Sequence, residues 1–381
     1  MINIIDKTSC CGCTACYSAC PQDAISMCFD SEGFKYPAID TNKCIECGLC
    51  IKVCPLIESD EQIKRKTEHA YCLYNNDPVK LISSSSGGIF SELSKYIIEN
   101  AGVVYGAVYD NEWTVCHKRA AALSQLQEFR GSKYVQSDLR DTFKSVAADL
   151  KANKLVLFSG TPCQVAGLKK FLHKDYTNLI TCDLLCHGVP SPLVFKDYIS
   201  LIQKKRRNMI TNINMKDKTE GWGKQSLRIY YENNTSEQGT SLSYLWNKVF
   251  FSNLALRPSC YACKFVDYNR CSDLTIGDYW NINKFHPEFY NKDGVSIILI
   301  QTDRGFDIFN AIKEHFTYHP LMHGEYPQES LEQPVEKPVL RDCYWKDLSQ
   351  RGFTFAARKY FGYEDRAWKL FFRKIKMKFH R

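Results

Sequence analysis

Cys10-Cys-Gly-Cys-Thr-Ala-Cys-Tyr-Ser-Ala-Cys-Pro21 and, 34 residues on, Cys44-Ile-Glu-Cys-Gly-Leu-Cys-Ile-Lys-Val-Cys-Pro55 are one pattern written twice. Each run reads Cys-x2-Cys-x2-Cys-x3-Cys-Pro, which is ligand spacing for a [4Fe–4S] cluster. A tight loop turns three thiolates onto one cluster, and Gly12 and Gly48 let backbone N–H groups approach sulfur. The fourth cysteine, followed by proline, reaches the cluster of the other half. Cys10, Cys13, Cys16 and Cys54 are therefore expected to hold one cluster, and Cys44, Cys47, Cys50 and Cys20 the second. The alternative is a zinc ribbon, but structural zinc takes separated Cys-x2-4-Cys pairs rather than four cysteines in eleven residues. The pattern reads as electron transfer.

Working outward, residues 1–58 form a dicluster ferredoxin-like module. Residues 59–69 are a charged linker with almost no core. At 381 residues, and about 150 per domain, the chain has room for two or three domains. An apolar fraction of 44% supports a large buried core. Nineteen cysteines would suggest a disulfide scaffold only in a short secreted chain. The N-terminus lacks the basic and apolar regions of a signal peptide, and no run reaches the ~18–20 apolar residues of a membrane span. The expected setting is cytoplasmic and low in oxygen, where thiolates stay reduced.

The net charge of +8 is uneven: residues 1–60 carry −4, residues 346–381 carry +8 and the middle carries +4. Basicity confined to a tail argues against nucleic acid as a partner. In that tail, Trp368, Phe371, Phe372, Ile375 and Phe379 fall on one helical face, with Arg366, Lys369, Arg373 and Lys376 largely opposite. Residues 364–381 thus suit either peripheral contact with an anionic membrane at its inner face or packing on a protein surface.

Residues 70–345 read as α/β, divided near 150 into 70–150 and 151–345. A Ser-rich loop, Leu81-Ile-Ser-Ser-Ser-Ser-Gly-Gly88, leads into an amphipathic helix carrying Phe90, Leu93, Ile97 and Ile98. Buried strands are expected at Val103–Val108, Lys154–Ser159, Leu179–Leu185, Leu274–Gly277 and Val295–Ile300. Thr161 suits an N-cap and Pro162 the first turn, placing Cys163 at the start of helix 162–173. The expected fold is a ferredoxin-like module followed by a larger α/β domain with a mostly parallel or mixed sheet, its sites at strand ends.

Six ordered motifs then carry a resemblance. They are Ser83-Ser-Ser-Ser-Gly-Gly88, Arg130-Gly-Ser-Lys-Tyr-Val-Gln-Ser137, Phe158-Ser-Gly-Thr-Pro-Cys-Gln164, Asp183-Leu-Leu-Cys-His-Gly188, Arg257-x2-Cys260-x2-Cys263 and Asp273-Leu-Thr-Ile-Gly-Asp278. Together they resemble the beta-subunit family of coenzyme F420 hydrogenases and dehydrogenases, whose bacterial members often carry a 2x[4Fe–4S] ferredoxin domain. The resemblance implies an iron–sulfur flavoprotein oxidoreductase that uses FAD between clusters and a deazaflavin or other small organic acceptor. It also implies a redox partner protein or ferredoxin.

FAD rests on the resemblance, since no Gly-x-Gly-x-x-Gly fingerprint follows a strand. Candidate cofactor contacts are Ser84, Ser85, Ser86, Gly87 and Gly88, where a small-residue loop before a helix suits phosphate. Gly131, Ser132, Lys133 and Tyr134 add a turn, a cation and a ring. Lys216, Lys218, Gly277 and Asp278 resemble the family's segments near the flavin or substrate, although Lys216–Gly223 also reads as a solvated hairpin. Lys216 and His187 are the candidate catalytic groups, His187 as proton donor, with a structural histidine as its alternative.

Cys163, Cys186, Cys260 and Cys263 admit three readings: a third [4Fe–4S] cluster, a zinc knuckle that includes Cys271 or His286, or Cys163 and Cys186 as buried small hydrophobes. Cys11, Cys28, Cys72, Cys116, Cys182 and Cys343 read as non-ligands. Asn281 follows Trp280 where the family has glycine. The alternative function is an electron-transfer subunit with no substrate site of its own.

Overall fold

The computed structural model describes residues 1–57, 65–224 and 226–364. Both cysteine runs form loops entering short helices, α1 (Ala15–Ala19) and α2 (Leu49–Lys52). Between them lies an antiparallel hairpin, β1 (Ile25–Phe29) and β2 (Lys35–Ile39). In each run the third and fifth positions are left-handed: Gly12 and Thr14 at φ 71° and 61°, Glu46 and Gly48 at 53° and 75°. Gly12 and Gly48 are therefore not equivalent, which corrects the expectation of one shared glycine role. Each loop needs two left-handed residues and relieves one of them with glycine. The other costs about 1–2 kcal/mol of backbone strain.

The body is built on an eight-stranded sheet. Its first strands are β3 (His69–Asn75), β4 (Val103–Tyr109), β5 (Val115–Ala120), β6 (Val156–Gly160) and β7 (Leu179–Leu184). After these, β8 (Ile210–Asp217), β9 (Ser226–Tyr231) and β10 (Ser236–Glu237) form a separate antiparallel sheet. The chain returns to the large sheet with β11 (Leu274–Asp278), β12 (Ser296–Ile300) and β13 (Phe316–Pro320), giving the order β13-β3-β12-β11-β7-β6-β4-β5. β4, β6, β7 and β11 run parallel, and the strands outside them pair antiparallel. The sheet is mixed.

The body helices are α3 (Pro78–Ser83), α4 (Ile89–Glu99), α5 (Thr142–Lys151), α6 (Pro162–Leu172), α7 (Pro192–Arg206), α8 (Ser241–Phe251), α9 (Ile282–Phe285), α10 (Asp303–Ile312), α11 (Glu329–Glu332), α12 (Arg341–Arg351) and α13 (Phe353–Phe361). α4 and α10 cover one face of the sheet through Leu93, Ile97, Phe309 and Ile312. α5 and α6 cover the other through Phe143, Val146, Val165 and Leu168, and Cys13, Cys16, Cys50 and Cys54 join that same core. The small sheet packs with α7, α8, α12 and α13 around Tyr198, Trp246, Tyr344 and Phe361. No helix among the described residues is long and apolar enough to cross a membrane.

Two boundaries differ from the sequence expectation. Residues 346–361 are not tail: α12 and α13 bury Tyr344, Leu348, Phe353 and Phe361 in the second core. Each such side chain contributes roughly 1.5–3 kcal/mol, enough to hold two short helices whose basic residues from Lys346 onward are exposed. Residues 65–69 already belong to the body, since the Arg65 N–H donates to the Arg270 carbonyl and Glu68 N–H to that of Ile300. Residue 58, residues 59–64 of the expected linker and 365–381 of the expected tail lie outside the described residues.

The module is fastened to the body by buried polar contacts. Arg341 forks onto the Glu32 carboxylate at 2.9 and 2.5 Å. Ser191 donates to the Glu32 carbonyl at 2.5 Å, and Lys264 to that of Leu56 at 3.0 Å. Gly33 abuts Leu193 so closely that a Cβ there would lie 2.3 Å from the leucine Cβ.

Candidate functional site

Cys20, Cys44, Cys47 and Cys50 line one small cavity at the outer end of the module, with Cys47 exposed. The first loop lies on the inner side, against α6. Burial pushes the Cys16 thiol up to about 12, with Cys10, Cys54 and Cys50 adding to the shift. Crowded thiols of this kind cannot all ionise without a cationic centre, and metal binding supplies that charge. Backbone N–H groups of Ile2 and Ala24 reach Cys50 Sγ and Cys20 Sγ, each at 3.3 Å. The residues therefore fit a pair of cubanes.

A cavity of about 300 Å³ opens where the module meets the body, and Cys163, Cys186, Cys260 and Cys263 all line it. Cys163 stands in the first turn of α6, Cys186 just beyond β7, and the Cys260 pair in a single 3-10 turn. The Cys186 thiol is raised by burial and then by Cys260, Cys163 and Cys263. Cys11, read as a non-ligand, also lines this cavity. Neither zinc-knuckle partner lines this cavity: Cys271 donates to the Pro162 carbonyl at 3.6 Å, and His286 faces Glu325 at 3.3 Å. Among the described residues no three Cys, His, Asp or Glu side chains converge on a single-ion site. Zinc at about 2.3 Å from sulfur demands such convergence, whereas a cubane spreads its thiolates around its own bulk.

His187 also belongs to this cavity and not to the serine–glycine loop. Its Nε2 lies 2.7 Å from Asn253 Oδ1, and its ring packs on Phe250 and Phe251. β7 ends at Leu184, and the turn beyond it places His187 in the wall of the cysteine cavity, with the hydrogen bond and ring packing of the structural-histidine alternative.

A second cavity, about 220 Å³, lies at the carboxyl ends of β6, β7 and β11, where open parallel sheets bind ligands. Ser84, Ser85, Ser86, Gly88, Gly131, Ser132, Lys133, Gly277 and Asp278 line it. The two loops are tied together, Ser85 Oγ accepting from Ser132 N at 2.7 Å and from Ser132 Oγ at 3.0 Å. Gly87 has no room for a side chain, since its Cβ would lie 2.2 Å from the Leu73 carbonyl oxygen. Its N–H donates to Ser296 Oγ at 2.8 Å.

Lys218 is buried behind this loop, donating to the Leu81 and Ser86 carbonyls at 2.7 and 2.5 Å. Burial, then Lys216, brings its pKa down to about 7. Lys216 is also buried and ion-pairs with Asp278, beneath stacked Trp222 and Trp280 rings whose centroids lie 4.9 Å apart. The solvated-hairpin alternative for residues 216–223 is thus overturned. Asn281 has ordinary backbone, φ −87°, and donates to the Pro327 carbonyl.

Tyr134 is a further correction. Its ring packs on Phe250, tilted, with centroids 4.6 Å apart, and its carbonyl accepts from Trp246 Nε1, so it packs against the second core and does not line the cavity. Sequence reading missed His117, whose imidazole bridges Ser137 Oγ at 2.5 Å and the Ser159 carbonyl at 2.8 Å. Burial lowers its pKa to about 4. No local signal marked this histidine, but Ser137 and Ser159 both stand in the quoted motifs. Gln164 was missed too: its Oε1 accepts from Thr161 N at 3.0 Å across the cavity wall.

The two cavities meet at Thr161, which lines both, and its Oγ1 lies 3.1 Å from Cys163 Sγ. On the far side the serine–glycine cavity shares Arg130, Gly131 and Lys133 with an open cleft of about 960 Å³.

Residues 153–321 match the C-terminal part of the coenzyme F420 hydrogenase/dehydrogenase beta subunit, and residues 9–56 a 4Fe–4S dicluster domain. The chain is 26% identical over 319 residues to a coenzyme F420-dependent sulfite reductase of Methanocaldococcus jannaschii, covering 81% of this chain and 47% of that protein. The chain thus spans about half the length of that relative. An uncharacterized ferredoxin of the same organism is 38% identical over 52 residues, 14% of this chain and 66% of that ferredoxin. Among solved structures, a chain of the F420-reducing [NiFe] hydrogenase complex of Methanosarcina barkeri aligns at 16% identity with a TM-score of 0.44, covering 78% of this chain and 92% of that one.

Proposed function

We propose that this protein is an iron–sulfur flavoprotein oxidoreductase. In this reading Cys20, Cys44, Cys47 and Cys50 hold an outer [4Fe–4S] cluster and Cys10, Cys13, Cys16 and Cys54 an inner one. Cys163, Cys186, Cys260 and Cys263 hold a third, and the serine–glycine cavity takes the phosphates of FAD. One observation carries it: three cysteine sets and a phosphate-suited cavity follow one another through the molecule, the last two sharing Thr161.

The second cavity fits such a cofactor by chemistry. Gly277 lines it without a side chain, the paired serines offer hydroxyls, and Arg130 and Lys133 supply cations. The adjoining cleft gives room beyond the phosphates for a ring system and an acceptor. FAD, when bound, supplies the exchange between one-electron and two-electron chemistry. The chain's own residues position it: Lys218 braces the loop from behind, and the Lys216–Asp278 pair places a carboxylate in the wall with its charge balanced. Coenzyme F420 or another small organic molecule, such as a reducible sugar, is the two-electron partner in this reading.

Anaerobic purification with iron, sulfide and flavin quantitation tests the proposal. About twelve irons per chain support three clusters and about eight support two. A colourless, zinc-containing preparation without flavin would refute it. A second reading, an electron-transfer subunit feeding a partner, is favoured by the exposure of Cys47. A dithionite-reduced sample tested alone separates the two: flavin reoxidation by small acceptors supports the enzyme, and dependence on a partner protein supports the subunit.

A further inference from the structure

Three of the described arginines are buried: Arg257, Arg270 and Arg341, at 1%, 2% and 5% exposure. Arg341 has the Glu32 carboxylate and Arg270 has that of Asp183 at 3.3 Å. Among the described residues Arg257 has no carboxylate. Its Nε donates to the Cys10 carbonyl at 2.8 Å, Nη1 to Gln136 Oε1 at 2.9 Å, and Nη2 to the Lys35 carbonyl at 2.9 Å and Cys10 Sγ at 3.6 Å. Tyr36 and Phe34 rings lie 4.3 and 5.4 Å from its Cζ. A buried charge with only neutral partners costs several kcal/mol and is found paired or neutralised. Arginine cannot neutralise itself by losing its proton.

Arg257 also lines the cavity of the third cysteine set, but the thiol it hydrogen-bonds is Cys10 of the first loop. Gly12, at φ +71°, brings the first cysteine loop against the guanidinium, and a Cβ there would lie 2.8 Å from Nη1. We propose that Arg257 is the counter-charge of the cluster held by Cys10, Cys13, Cys16 and Cys54, and that it raises the reduction potential of that cluster above what the thiolates alone would give. The proposal rests on the iron–sulfur reading above. Four thiolates leave such a cluster anionic, and reduction adds further negative charge. A cation donating N–H to a ligand sulfur therefore stabilises the reduced form more than the oxidised one, and hydrogen bonds to sulfur are a known lever on potential. The same charge acts on Cys163 and Cys260, opposing the upward pushes of Cys11 on the former and of burial on the latter. Among the described residues, no arginine or lysine lines the cavity of the outer cysteine set across the module.

The test is a potentiometric titration followed by electron paramagnetic resonance on the anaerobic full-length protein, comparing Arg257→Gln and Arg257→Lys. A Cys20→Ser variant assigns the outer signal. Arg257→Gln is expected to lower the inner potential by at least 59 mV, a tenfold change for a one-electron couple, with the outer signal unmoved and Arg257→Lys shifted less. Selective loss of inner-cluster iron in the glutamine variant, with retention in the lysine variant, supports the same charge requirement. Full iron with an unchanged inner potential in Arg257→Gln would overturn the proposal. So would equal iron loss in both variants, because geometry rather than charge would then be at stake. Wild-type protein without iron would instead sink the iron–sulfur reading itself, before any variant is made.

Discussion

Gly167→Ala sets two known magnitudes against each other. In a helix interior, alanine is favoured over glycine by about 1 kcal/mol, so α6 taken alone should gain. Position 167, however, faces the first cysteine loop: a Cβ there would lie 2.8 Å from both Cys13 Cβ and Cys13 Sγ. Comfortable carbon contacts need about 3.5–4.0 Å, so roughly 1 Å must open between α6 and the module. Overpacking of this kind costs about 1–3 kcal/mol, which outweighs the helix gain at all but its lowest value. The net expectation is a loss of about 0–2 kcal/mol, seen as a lower unfolding midpoint, and a displaced Cys13. Loss of about four irons per chain, the content of one cubane, should accompany it. Gly223→Ala is the control, since nothing lies within 4 Å of a Cβ there. Should Gly167→Ala prove about 1 kcal/mol more stable and keep its iron, the module is not seated on α6 and the argument for an inner set fails.

Cys20→Ser should remove iron from the outer set while leaving the inner signals, because Cys20 shares its cavity with Cys44, Cys47 and Cys50; loss of the inner signals would reverse the pairing. His117 has a folded pKa of about 4 against 6.5 ordinarily, so the unfolded chain binds the extra proton between those values. Its neutral form contributes fully above pH 6.5, and on the order of 3 kcal/mol is lost as pH falls toward 4. His117→Gln should flatten that slope in urea unfolding at pH 7 and pH 4.5, and an unchanged slope would count against a neutral buried imidazole. Glu32→Ala leaves the Arg341 charge buried and should cost about 3–5 kcal/mol, whereas Glu32→Leu with Arg341→Met should recover most of it. Thermal unfolding of the three proteins decides this, and equal losses would deny the ion pair its role.

The elements legible in the sequence were those written in local chemistry. The strand at Val103–Val108, the N-cap signal at Thr161 and the α6 start at Pro162 all follow from burial runs and capping residues, and the cysteine spacing matches a dicluster domain. What escaped depends on tertiary neighbours. His117 lies on an edge strand beside Lys118 and Arg119, which give it no cavity signal, and becomes a cavity group only because β6 and the Ser137 segment fold against it. Tyr134 lies one residue beyond a true cavity residue, and chain direction alone turned it into the Trp246 core. The basic residues of 346–361 resembled a solvated tail because the residues they cover belong to α7 and α8, far away in sequence. The lysines at 216 and 218 misled in the opposite way, since only tertiary acceptors make burial of a cation tolerable.

The charged stretch 59–69 suggests a ferredoxin module on a tether, but the contacts at its surface imply a different device. A tethered module samples many orientations, so the cluster nearest the body would change from moment to moment. Here Glu32, Gly33, Leu56 and the Cys10–Cys11 backbone are each engaged by the body, through Arg341, Leu193, Lys264, and Arg257 with Gln136. Attachments at three separate places along the module hold the inner cysteine loop against α6 and Cys163, with Cys47 exposed. Two of those attachments, from Arg257 and Gln136, grip the carbonyls of Cys10 and Cys11 themselves. Any force that displaces the module therefore strains the inner loop first, and whatever anion that loop carries holds Arg257 in turn. Docking and loading of the inner site are on this geometry one equilibrium, so removing iron should loosen the module and cutting its anchors should release iron.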